Sequence, residues 1–215
     1  MLTQNEEAPQ FSSLEELNRF LKRNNCRRCN LGFQENIYGC CVSRGDMSSK
    51  MMVIAEGPGE EEDKQRRPLV GPAGRLFDRI WSSVGLDTND WYLTNTVLCR
   101  SVALPGSGKK NLPPTAEQKR KCSPYMWQQI QLLNPEIIVT LGRHATAAIV
   151  KKSTVKMGDY RGKLITSGRF LVYPMIHPSA LLQTKRDPDR HNMYRRQMWT
   201  DIQHLRKLLE ERNII

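Results

Sequence analysis

Nothing in this sequence approaches the length of an apolar membrane span. Its opening residues, Met-Leu-Thr-Gln-Asn-Glu-Glu, lack the basic start and apolar stretch of an export leader. No internal repeat stands out, which sets aside repeat architectures. These absences lead to the expectation of a cytoplasmic, intracellular chain without a membrane partner. Thiols stay reduced there, so the six cysteines suggest metal ligation ahead of disulfides. Acids are scarce as well: 22 Asp+Glu stand against 33 Lys+Arg, a formal charge of +11. A surplus of that kind suits a polyanion, with nucleic acid the first candidate. Its placement is uneven. Residues 100–121 hold six basic residues and one acid, Glu117, and residues 185–207 hold seven basic and three acidic.

At 215 residues the chain can bury one sizeable core, and a single domain over 1–215 is expected. Residues 1–25 read as an N-terminal helical segment, because Ser12 or Ser13 with Glu15 or Glu16 forms a capping-box pattern ahead of Leu14, Leu17, Phe20 and Leu21. Strand-like runs lie at 50–55, 91–98, 136–141 and 169–176. Helical patterns follow them at 72–84, 115–133, 143–151 and 192–212. That alternation predicts an α/β fold: a three-layer α/β/α sandwich around a four-stranded parallel sheet. Residues 101–110 read as a flexible basic loop.

Two short segments stand out at strand ends. Glu56-Gly-Pro-Gly-Glu-Glu-Glu-Asp63 follows Met51-Met-Val-Ile-Ala55, and His177-Pro-Ser-Ala-Leu-Leu182 follows Phe170-Leu-Val-Tyr-Pro-Met-Ile176. Loops at the carboxyl ends of parallel strands are where open α/β sheets build ligand sites. Cys26 and Cys29 form a C-x2-C pair, Cys99 ends a strand, and Cys122 lies in the helix that follows. Two near thiols and two distant ones can close a four-thiolate site around zinc or an iron–sulfur cluster. Cys40 and Cys41 are adjacent and read as free thiols, either one a fallback ligand.

With Arg67-Pro-Leu-Val-Gly-Pro-Ala-Gly74, Thr94-Asn-Thr-Val-Leu-Cys99 and Asn111-x-x-Pro114 interleaved, the chain resembles the family 4 uracil-DNA glycosylases, the iron–sulfur branch of that superfamily. The resemblance runs from about Cys26 to the terminal helix. It implies a monomeric enzyme that flips uracil out of single- or double-stranded DNA and hydrolyses its glycosidic bond. It also implies a four-iron four-sulfur cluster on Cys26, Cys29, Cys99 and Cys122, with residues 101–110 an inserted loop between the last two ligands; zinc is the alternative that the four thiolates alone allow. No lysine lies in the matched motifs to act as a Schiff-base nucleophile, so a monofunctional enzyme is expected.

The resemblance also suggests roles. His177 donates a hydrogen bond to O2 of the leaving uracil. Asn95 accepts from N3–H and donates to O4, which cytosine cannot match. Glu56 and the backbone at Gly57 hold water, and Asn111 supports the water or a phosphate. Gly57 and Gly59 let backbone amides approach the nucleotide. Glu62 crowds the C5 face against thymine, and Ser179 helps bind the substrate. Glu60 and Glu61 read as a solvated acidic turn. Leu181 or Leu182 fills the gap left by the flipped base, while Gln183, Lys185, Arg186, Lys109 and Lys110 are phosphate candidates. Three positions depart from the family pattern. Leu69 stands where a phenylalanine stacks on uracil, Ala55 replaces a glycine, and Leu112 replaces an arginine. These departures keep two alternatives open: an enzyme of the same fold that acts on a modified pyrimidine, or a DNA-binding or uracil-capturing protein without activity.

Overall fold

The computed structural model describes residues 8–24, 26–34, 37–102 and 111–215. Beyond Val102, the expected inserted loop lies outside the described residues, and Lys109 and Lys110 with it. The first helix, α1 (Leu14–Asn24), begins as its sequence asks. Ser13 Oγ accepts from the Glu16 amide, and the Glu16 carboxylate accepts from the Ser12 amide in return. Such a cap contributes about 1 kcal/mol. Leu17 and Leu21 are fully buried, and burial of a leucine contributes about 1.5–3 kcal/mol. Packing, more than capping, holds α1.

A 3-10 turn (Asn30–Phe33) precedes β1 (Met51–Ala55), α2 (Glu60–Gln65), α3 (Pro72–Ser82) and β2 (Tyr92–Asn95). Then come α4 (Ala116–Leu133), β3 (Ile137–Leu141), α5 (Gly142–Ile149) and α6 (Met157–Tyr160). The chain ends with β4 (Ile165–Ser167), β5 (Phe170–Met175), α7 (Pro178–Gln183) and α8 (Pro188–Glu211). Thr115 and Gln118 form a reciprocal cap at the start of α4. No helix among the described residues is long and apolar enough to cross a membrane.

The sheet has five strands in the order β2-β1-β3-β5-β4. The expected four-stranded parallel sheet is present as β2, β1, β3 and β5. The fifth strand, β4, pairs antiparallel with β5 at the edge. Its three half-exposed residues are too few to show a period of two, so pattern reading misses it. Both faces of the central strands are covered, as a parallel sheet requires. Met51, Val53 and Ala55 of β1 face a core with Phe77 and Trp81 of α3 and Leu205 of α8. Met52 and Ile54 face Met126 and Ile130 of α4 and Ile149 of α5. This alternation makes the three layers.

Strand β1 lies between β2 and β3, so the chain leaves β1 to one side and returns to the other. The carboxyl ends of β1 and β3 therefore diverge from a crevice, the usual ligand position in such sheets. Three local readings change. Glu60 and Glu61 lie on the helix α2, not in a solvated turn, and pair with Lys64. The His-Pro-Ser segment opens α7, and α8 begins at Pro188, capped by Asp187. Strand β2 stops at Asn95, because the next two amides turn to Ala55 and Glu56 carbonyls.

Candidate active site

A cavity of about 1340 Å³ opens at the carboxyl ends of the strands. It gathers Glu56, Gly57, Gly59, Glu62, Leu69, Asn95, Asn111, His177, Ser179 and Leu182. Residues from the ends of β1, β2 and β5 thus meet, as the sequence reading requires.

Asn95 ends β2 and is only 2% exposed. Its Nδ2 is shut from solvent and has no hydrogen-bond partner among the described residues. An unpaired buried amide costs about 1–3 kcal/mol, a cost that a ligand oxygen in the cavity Asn95 lines would relieve.

His177 caps α7 with its own ring. Nδ1 accepts from the Ser179 amide at 3.1 Å, and Ser179 Oγ lies 2.8 Å from the same nitrogen. A nitrogen that accepts carries no proton, so this network assigns the proton of the neutral ring to Nε2, which remains free to donate. Burial pushes the His177 pKa down to about 4, against the opposing pull of Glu56 and Glu62. The ring is therefore a neutral donor near pH 7. Gly142, at φ +84°, lets this ring sit close: a Cβ there would lie 3.1 Å from that of His177.

Glu62 is 8% exposed on α2, and its Oε1 accepts from the Gly71 amide at 2.8 Å. A Cβ at Gly59 would fall 2.8 Å from Glu62 Oε2, and one at Gly71 would fall 2.9 Å from both carboxylate oxygens. Gly59 thus leaves room for the Glu62 carboxylate where it stands, a reason the sequence did not offer. At Gly57, by contrast, a Cβ would meet only ordinary contacts.

Leu69 lines the cavity, 4% exposed, with a left-handed backbone at φ 52°. A leucine there is strained by about 1–3 kcal/mol, the kind of cost that gathers at functional sites. Asn111 Oδ1 accepts from Arg100 Nε at 2.7 Å.

Leu181 is not available as a wedge, and that expectation is corrected. It is 7% exposed and packs with Ile176 and Met198. On a helix consecutive side chains face different ways, so with Leu181 inward it is Leu182 that reaches the cavity. Lys185 and Arg186 are exposed just after α7.

The cysteines form a second locus. Cys26, Cys29, Cys99 and Cys122 line one pocket with Leu21, Leu31, Val97, Leu98 and Tyr125. Burial pushes the thiols of Cys26, Cys29 and Cys122 up, and neighbouring cysteines push the same way. Among the described residues, no three His, Cys, Asp or Glu groups are arranged as a single-ion site. Cys40 faces this pocket too, its sulfur 3.5 Å from that of Cys99. Cys41 faces the other way and donates to the Glu62 carbonyl at 3.1 Å. Of the two fallback ligands, Cys41 is therefore excluded.

Sequence reasoning missed His144, whose Nδ1 lies 2.7 Å from Glu56 Oε1, and Lys119, whose Nζ lies 3.8 Å from it. A signal existed for the histidine: Gly142-Arg143-His144 follows β3 just as the two singled-out loops follow their strands.

Such a crevice, with an idle amide and a neutral imidazole facing one cavity above a parallel sheet, is that of the uracil DNA glycosylase superfamily, whose family model matches residues 42–203. The chain is 37% identical over 166 residues to the type-4 uracil-DNA glycosylase of Saccharolobus solfataricus, covering 73% of this chain and 72% of that protein. It is 33% identical over 187 residues to the Thermotoga maritima type-4 enzyme, covering 86% and 90%. The chain belongs to the type-4 uracil-DNA glycosylases.

Proposed function

We propose that this protein excises uracil from DNA by hydrolysing its glycosidic bond, leaving an abasic site. The observation that carries the reading is the unpaired Asn95 Nδ2 at a cavity shared with the free Nε2 proton of His177. In the reaction, C1′–N1 breaks and its electron pair leaves with uracil. Charge develops on O2 and O4, where the His177 and Asn95 donors wait without reorganising. Water adds to C1′ and gives its proton to Glu56, with the Gly57 backbone completing the water site. Asn111, held by Arg100, sits beside the sugar. Glu62, fixed between two glycines, walls off a C5 methyl. Leu182 fills the vacated stack, and Lys185 and Arg186 meet phosphate. One domain carries the whole activity.

The test is labelled uracil-DNA, single- and double-stranded, incubated and then treated with alkali. Release of uracil with strand breakage only after alkali is expected. Breakage without alkali would reject the monofunctional reading and turn attention to Lys119. An intact retarded complex would favour a binder, and release of only a modified base would favour the alternative substrate.

Leu69 gives the pocket an apolar wall without an aromatic face. Base–aromatic stacking is worth roughly 1–3 kcal/mol, so Leu69→Phe tightens retention of free uracil by about tenfold, measured by product inhibition. No gain would mean that the pocket is shaped for another base.

For the cysteine pocket, the fit to a four-iron four-sulfur cluster rests on its chemistry. Four thiols, Cys99 buried and the other three partly buried, oppose one another's ionisation, and such donors are what a cationic cluster relieves. Cys26, Cys29, Cys99 and Cys122 would hold it, and it would tie the segment after α1, the end of β2 and α4 together. The purified protein is expected to be brown, with broad absorbance at the violet edge that Cys122→Ala removes. A colourless protein with bound zinc would replace this assignment.

A further inference from the structure

We propose that His144 is a positioning residue for Glu56: it holds one carboxylate oxygen and so aims the other at the attacking water. This rests on the reading of Glu56 as the water-holding carboxylate.

Glu56 follows β1, and His144 is the third residue of α5, which follows the neighbouring strand β3. Parallel pairing therefore brings both to the same edge of the crevice. His144 Nδ1 stands 2.7 Å from Glu56 Oε1, and both side chains are 30% exposed. The oxygen is shut from solvent, yet no donor among the described residues is aligned on it. A short contact off the hydrogen-bond axis is compatible with a catalytic pair, since such bonds are often poorly aligned before substrate enters and tighten in the complex. The other charged group at this oxygen is Lys119 Nζ, at 3.8 Å and partly exposed. Oε2 has no protein partner among the described residues.

A carboxylate whose two oxygens were equally free would present either one, at either of two orientations. Fixing Oε1 to a ring on a separate element removes that freedom. The start of α5 adds the positive end of its backbone dipole. His144 does this without touching the nucleotide, so its loss must appear in the rate of the bound complex and only through Glu56.

The experiment measures single-turnover uracil release and DNA affinity for His144→Ala, His144→Asn and His144→Gln, with a thermal midpoint for each. The first is repeated in a Glu56→Ala background. His144→Ala is expected to lower the saturated rate about tenfold, with affinity within about twofold. His144→Asn places an amide N–H where Nδ1 stands and recovers the rate to within about threefold of wild type. His144→Gln has similar bulk but a displaced donor and does not recover it. In the Glu56→Ala background His144→Ala adds no further loss, because the two act as one unit. A full rate in His144→Ala, a loss confined to affinity, or an equal loss without Glu56 would overturn the inference. If Glu56→Ala alone excises at the wild-type rate, the reading of Glu56 falls first, so the two failures are distinguishable.

Discussion

Alanine at position 177 lowers the single-turnover rate of uracil release about 10²–10³-fold, the usual cost of removing one preorganised donor from a developing oxyanion. The magnitude rests on two features of the ring. It is neutral, its pKa held near 4 by burial, and Ser179 fixes its tautomer so that Nε2 carries the proton. Ground-state contact with a carbonyl gains little from such a donor. Contact with the departing anion gains much more, so the loss falls on the rate and affinity for uracil-DNA changes little. A pH dependence follows with its sign. An ordinary histidine would titrate near 6.5, whereas His177 stays neutral until pH falls towards 4. No step assignable to His177 should cross the rate profile between pH 5 and 8, and single-turnover rates across that range check it. A variant that excises at the wild-type rate would remove His177 from the mechanism.

Asn95→Ala is expected to have the second largest effect, a loss of about 10²-fold or more in the specificity constant for uracil. Sites built to hydrogen-bond one functional group lose most when that group goes unanswered. The same substitution should leave stability unchanged or raise it slightly. In the free protein Nδ2 has no partner among the described residues, so its removal breaks no hydrogen bond of that atom there and relieves a desolvated donor. Activity and thermal midpoint measured together test the assignment. A large fall in melting temperature would make Asn95 a structural residue, and activity close to wild type would remove it from substrate recognition.

Local signals made much of this molecule legible. The reciprocal caps of α1 and α4, the apolar run of β1 and the loops after β1 and β5 are written in neighbouring residues. Their meeting around one cavity follows from the rule that parallel sheets place ligand sites at strand ends. What escaped was set by contacts between distant segments. Strand β4 exists because β5 offers it an edge. The inward turn of Leu181, which leaves Leu182 at the cavity, is decided by packing against Ile176 and Met198. Gly59 read as room for a nucleotide because its actual neighbour, the Glu62 carboxylate, reaches it only once α2 has formed. His144 was passed over because its partner lies on another strand, although its position after β3 was as readable as the two loops that were noticed.

Glu62 illustrates how such a wall constrains change. Its carboxylate is seated between Gly59 and Gly71, so a methyl group at either glycine would force it to shift. The shape of this edge of the cavity thus depends on three codons together. For either small residue to grow, the acid has to move or shorten first, an order dictated by volume.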